Sequence, residues 1–516
     1  MRLSQNLDCS HKYSDDFSRK IILTGKILSV IFLFVLHGIG FGATAYTWNG
    51  STTDWATAGN WSPSGVPGDV AGDSVDIPTG VTSEPTLGVT PLNALVGLTI
   101  GSGKTLTTAA GITLTVSGPT VIDGTLTPTT TTIFSFAAVT IGATGAFGTG
   151  TGSGLMTFSG DFINNGTFNG GSGINTFTGN WTNNTANYTA TSATTNLNAT
   201  SSNTNSSFAH NNGTVIVTGG TLTLGADTTF KTLTINSGAT LDLAGFNLPS
   251  TTAMTVSSGA TLQLKGPESV STTPTLSAGS LVKYQGTSSS PQAIQAWPYK
   301  NLELNTTAIT YTLPGVTTVG ENLTVTLGTL STGANANNLT VTGTTSIAAS
   351  QTLTSATYSS TLSFSDTVSI SGALTNGSGL MTFNKDLTIN ATGTLTLGTG
   401  NMAFDGNLIY KIIGAGTFTP GANLTTISSG TTTLGSNITF GALTISNGAA
   451  LNLAGFDLPS GTAITVSNGA TLQLKGSETV NTNPTLNAGS LVKYQGTAAG
   501  LAIKAWTYKK LELNTT

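Results

Sequence analysis

The chain has 516 residues, of which 7% are charged and 65 are glycine, with a formal net charge of −4. So few charges, against the usual ~25%, leave no basic patch for nucleic acid. A single cysteine, Cys9, excludes a disulfide scaffold. Helix formers are scarce as well, and regular apolar alternation argues against a disordered linker, so an all-β chain with almost no helix is expected.

Residues 1–45 read as a leader. Arg19, Lys20 and Lys26 precede the apolar run Ile27–Leu36, and Ala43-Thr-Ala45 has the small-x-small form of a cleavage site. The run is short for a membrane span of ~20 residues, and His37 and glycines interrupt its end. Cleavage after Ala45 is therefore expected, giving a secreted or cell-surface chain with no membrane span. Both arginines, Arg2 and Arg19, and Cys9 leave with the leader.

Residues 46–78 differ from everything after them, and 46–95 is set off as a Trp-rich N-terminal segment. Trp48, Trp55 and Trp61 are half of the six tryptophans, and Asp54, Asp69, Asp73 and Asp76 concentrate the acids. The segment reads as a cap: aromatics cover the open end of an apolar core, and Pro63, Pro67 and Pro78 blunt edge pairing. A sugar-stacking platform is the competing use of Trp48, Trp55 and Trp61, which makes them the candidate ligand residues. Asp69, Asp73 and Asp76 could hold Ca²⁺, which wants six to eight oxygens, but corner roles fit three loop acids better. No cofactor or metal is expected.

Over 96–218 short alternating runs such as Leu98-Thr-Ile100 and Ile112–Val116 are separated by glycine-containing corners. Gly101-Ser-Gly-Lys104-Thr105 imitates the end of a phosphate loop but lacks the glycine six residues before the lysine, position 98 being Leu98. It reads as a turn. Phe158-Ser-Gly-Asp-Phe162-Ile-Asn-Asn165 recurs as Phe177-Thr-Gly-Asn-Trp181-Thr-Asn-Asn184. Phe162 and Trp181 are expected to stack inside, with the asparagines forming a ladder at the corner. Residues 189–214 lose the pattern and read as a bulging loop or a join. They contain His210, the one histidine after the leader.

The clearest repeat is Leu233-Thr-Ile235 with Ala239-Thr-Leu-Asp-Leu243. It returns 21 residues on as Met254-Thr-Val256 with Ala260-Thr-Leu-Gln-Leu264. Strict alternation marks strands, and Asn236-Ser-Gly238 and Ser257-Ser-Gly259 mark corners. A period near 20 residues marks a solenoid. The fold expected is a parallel β-helix of about 22 coils, a rod of roughly 100 Å. A longer duplication overlies the short one: 219–428 forms the first large repeat and 429–516 a shorter second one. Both carry GSLVKYQGT and LELNTT, and both carry an aromatic trio, Tyr284, Trp297 and Tyr299 or Tyr494, Trp506 and Tyr508. No closing cap is visible before Thr516, so the chain is expected to be a piece of a longer protein.

Trp48-Asn-Gly50, Asn60-Trp61, Val66-Pro-Gly-Asp69, the 158–188 repeat and the order of the aromatic trio resemble bacterial cell-surface β-helix repeat proteins, adhesin-like and autotransporter-passenger-like. The resemblance implies a secreted or surface-exposed, structural or adhesive protein without catalytic activity, whose partners are glycans or surfaces. A glycan-binding or polysaccharide-cleaving β-helix is the alternative. It needs clustered carboxylates, whereas the acids here are scattered, and even Asp386 and Asp405 are an ordinary coincidence of spacing. Thr-x-Thr strands such as Thr113-Leu-Thr115, Thr221-Leu-Thr223 and Thr394-Leu-Thr396 could form a flat array for ice or a crystalline polysaccharide. They do not recur at one place in every unit, so they read as ordinary outward residues of strands.

Overall fold

A computed structural model describes residues 42–514, except 149–151, 186, 190–193, 199–200, 205–208, 252, 287–290, 334–336, 356–357, 460 and 498–501. The expected leader therefore lies outside the described residues, apart from its last few positions. Among the described residues the chain is an all-β succession of short strands that winds into a parallel β-solenoid, with one 3-10 turn at Ala58–Asn60.

Each full coil lays down strands on up to three faces. The first face is continuous from Ala45–Trp48 to Lys510–Leu513, at opposite ends of the described chain. Its register shows why the sequence folds this way. Leu222 stands over Leu241, then Leu262, Val282, Leu302 and Leu323, all pointing inward and all buried. The residues between them, Thr223, Asp242, Gln263, Lys283, Glu303 and Thr324, form the outward column of the same strands. Period-two alternation puts one set in the core and the other on the surface.

The corners fall where expected. Gly238 and Gly259 have φ of 78° and 72°, and their counterparts Gly448 and Gly469 have 79° and 71°. The turns close with Ala239 N–H donating to Asn236 O and Ala260 N–H to Ser257 O, each at 3.0 Å. The phosphate-loop imitation is also a turn. Gly103 has φ of 71°, and the Lys104 ammonium donates to the Val81 carbonyl at 2.8 Å.

Two aromatic stacks fill the core. In the first, Phe158 lies 4.7 Å from Phe177 and 4.8 Å from Phe162, and Phe162 stands in register with Trp181. The asparagine ladder forms as expected: Asn164 Nδ2 donates to Asn183 Oδ1 at 2.9 Å and Asn184 Nδ2 to Asn165 Oδ1 at 2.8 Å. The second stack runs through Phe364, Phe383, Phe404 and Tyr410.

The stretch 189–214, expected to bulge or join, instead contributes strands at Thr194–Leu197, Ser201–Thr204 and the start of Ala209–Val217. They pair in parallel with the coils on either side. The physical reason for the difference is a polar interior. Thr195 points inward and its hydroxyl lies 2.8 Å from the buried phenol of Tyr188, so the apolar alternation breaks while the ladder does not. His210 lies in a strand, opposite Phe230.

Candidate functional site

Three places along the rod concentrate unusual residues: the N-terminal cluster, the duplicated corner of the large repeats and one outward face.

At the N-terminal end, Trp61 stands edge-on to both Trp48 and Trp55, each at 4.7 Å, and Tyr46 joins at 6.3 Å. Thr47–Trp48 pairs antiparallel with Trp61–Ser62, a departure from the parallel ladder that turns the chain over the end of the core. Each indole N–H is satisfied internally: Trp48 by Ser83 O at 2.7 Å, Trp55 by Pro67 O at 3.3 Å and Trp61 by Trp55 O at 2.8 Å. Trp48, Trp55 and Trp61 are 0%, 1% and 2% exposed. A sugar-stacking surface needs an open ring face, and none of the three offers one. That corrects the ligand use considered from sequence and leaves the cap. Asp73 is fully buried and accepts the N–H groups of Thr44 and Gly68 at 3.2 and 2.9 Å, a corner role. Among the described residues no group of three or more His, Cys, Asp or Glu side chains is placed to hold a metal ion.

The duplicated corner holds the residues that the sequence hid best. Glu268 and Glu478 are 1% and 0% exposed. Glu268 Oε1 accepts Gly245 N–H at 3.0 Å and Lys265 N–H at 2.6 Å, and Oε2 accepts Gly266 N–H at 2.6 Å. Glu478 repeats this with Gly455, Lys475 and Gly476 at 3.0, 2.7 and 2.7 Å. The carboxylate thus takes the place of a strand in a nest of backbone donors. The Lys-Gly-x-Glu spelling shared by both repeats was the available signal.

The aromatic trio adjoins this corner. The phenols of Tyr284 and Tyr299 lie 2.9 Å apart, Gln295 N–H donates to Tyr284 and Tyr299 donates to Gln295 O. Tyr494, Tyr508 and Lys504 reproduce the pattern. Burial pushes the phenols of Tyr284 and Tyr299 well above the usual tyrosine range. These groups are hydrogen-bonded to the fold itself, so the arrangement locks a crossing loop onto the coil below.

The outward face lies over the second face of the coils between residues 310 and 419. Here four Thr-x-Thr strands and two close variants stack in register: Thr310 and Thr312, Thr329 and Ser331, Thr352 and Thr354, Ala373 and Thr375, Thr394 and Thr396, Thr417 and Thr419. From sequence these triplets seem scattered. The coils differ in length, and only the register shows that Thr394-Leu-Thr396 shares two columns with five other strands. On the first face the outward column reads Asp242, Gln263, Lys283 and Glu303 up to the start of this array, with Lys283 and Glu303 paired at 3.5 Å, and Thr324, Ser346, Ser369 and Thr388 alongside it. Threonine is not confined to this face: the third face carries its own outward column through Thr318, Thr340, Ser363, Thr382, Ala403, Thr426, Thr444 and Thr465.

The carboxylates weighed as an acid–base pair serve the backbone and a hydroxyl. Asp386 accepts Ile409 N–H at 2.8 Å and Asp405 accepts the Ser429 hydroxyl at 2.6 Å. Among the described residues no helix is long and apolar enough to cross a membrane. Comparison of the chain with protein-family models, with curated proteins and with solved structures finds no match in any of the three.

Proposed function

We propose that this chain is a secreted or surface-exposed structural rod that adheres through its outward side chains and performs no catalysis. The observation that carries this reading is the unbroken parallel ladder of the first face, from Ala45–Trp48 to Lys510–Leu513. A ladder of that kind makes a stiff object on the order of 100 Å long, from roughly 20 coils at about 4.8 Å each. Its interior is filled by stacked Leu, Ile, Val and Phe, so what it presents to the surroundings is repeated threonine, asparagine and serine. In repeat proteins, extended regular surfaces of this sort serve contact with other bodies. The resemblance to bacterial adhesin-like proteins points the same way. The glycan-binding alternative loses its three tryptophans to the cap.

The test is to coat beads with the full chain, measure their retention on a panel of solid surfaces under flow, and incubate the same protein with soluble polysaccharides. Retention on at least one solid, with no release of reducing ends, is expected. Release of reducing ends, or saturable binding of a soluble oligosaccharide with no retention on any solid, overturns the proposal.

A further inference from the structure

We propose that the two-column threonine face over residues 310–419 binds the surface of ice. This deepens the adhesive reading above and rests on it. The face is periodic in two directions. Along a strand, Thr352 and Thr354 are two residues apart, about 6.6 Å, and between coils the step is about 4.8 Å. A dissolved molecule engages one or two coils and gains nothing from the others. A crystal surface engages all six at once, so such regularity is complementary to a lattice.

Three features select frozen water among lattices. First, the outward set over these strands holds no charged and no aromatic side chain among the described residues. The array thus lacks the open aromatic faces that a sugar-stacking surface needs, and being uncharged it is complementary to an uncharged lattice. Second, threonine combines a methyl group with a hydroxyl on a β-branched Cβ whose χ1 is restricted. Donors, acceptors and apolar spacers are therefore fixed before contact, and little side-chain entropy is lost on binding. Third, glycine is held beside the second column at Gly377, where a Cβ would meet the Ser355 and Tyr358 carbonyls at 2.2 Å.

The experiment grows ice slowly from a dilute solution of the full chain and compares protein in the ice with protein in the liquid. Crystalline cellulose and chitin are sedimented with the same protein in parallel. Enrichment in ice is expected, with Thr352→Lys/Thr375→Lys falling to the level of an inert protein. Thr388→Lys, on the first face, should keep the wild-type enrichment. Circular dichroism melting confirms that the variants remain folded. Retention on cellulose or chitin without enrichment in ice overturns the ice assignment and leaves the adhesive reading standing. No enrichment in ice together with no retention on any solid overturns both. Equal loss in Thr388→Lys and the double variant shows that the face is not the site.

Discussion

Replacing Glu268 with alanine removes the acceptor for three backbone donors at once, those of Gly245, Lys265 and Gly266 at 3.0, 2.6 and 2.6 Å. A buried donor left without a partner costs about 1–3 kcal/mol. Three donors would cost about 3–9 kcal/mol, and relief of the carboxylate's own desolvation and water entering the gap reduce this to about 3–6 kcal/mol. Because each coil leans only on its neighbours, the loss should be local. Hydrogen exchange is the assay: Glu268→Ala should speed exchange across 240–284 and leave 450–494 at wild-type rates. Glu478→Ala should do the reverse, which makes each repeat the control for the other. Glu268→Gln keeps one carbonyl oxygen but turns an amide toward the Gly266 N–H, so its effect should be intermediate. If Glu268→Ala changes exchange by less than about 0.5 kcal/mol, the carboxylate is not holding the corner and the reasoning fails.

Phe158→Ala empties a fully buried place in the first aromatic stack, and should cost about 3–5 kcal/mol, read as the loss of exchange protection in 134–181. Burial raises the phenols of Tyr188, Tyr284, Tyr299 and Tyr410. Unfolded tyrosine ionises near pH 10, so the folded state keeps protons that the unfolded state has released. Stability should hold below about pH 10 and fall as pH rises above it; tyrosinate absorbance should appear together with unfolding and not before it. Lys283→Ala breaks a pair at 3.5 Å whose side chains are each 20% exposed, and the melting stability should move by no more than about 1 kcal/mol.

Where the alternation was clean, the fold was legible in the sequence. Leu241 and Leu262 were expected to stack and do so, as do Phe162 and Trp181, because period two and a fixed coil length specify both face and height. What was illegible depended on side chains that break the apolar code from within. Thr195 is polar and inward, so its coil looked like a loop. Glu268 is charged and buried, and its reason for being there is a set of backbone donors that no residue pattern announces. The threonine columns were hidden differently. Thr352, Thr394 and Thr417 share a column, but corners of unequal length change the spacing between coils, and only hydrogen-bond register restores it. As for the candidate site, the three tryptophans were visible, but whether their rings faced inward or outward was not, since a cap and a platform use the same residues.

The distance between two spin labels on the outward column of the first face tests the solenoid most directly. Thr223 and Thr388 belong to that one column, with Asp242, Gln263, Lys283, Glu303, Thr324, Ser346 and Ser369 between them. At about 4.8 Å per coil the labels should lie roughly 38 Å apart, in a narrow distribution. A broad distribution, or a distance far from that value, would mean that the coils do not stand on one another.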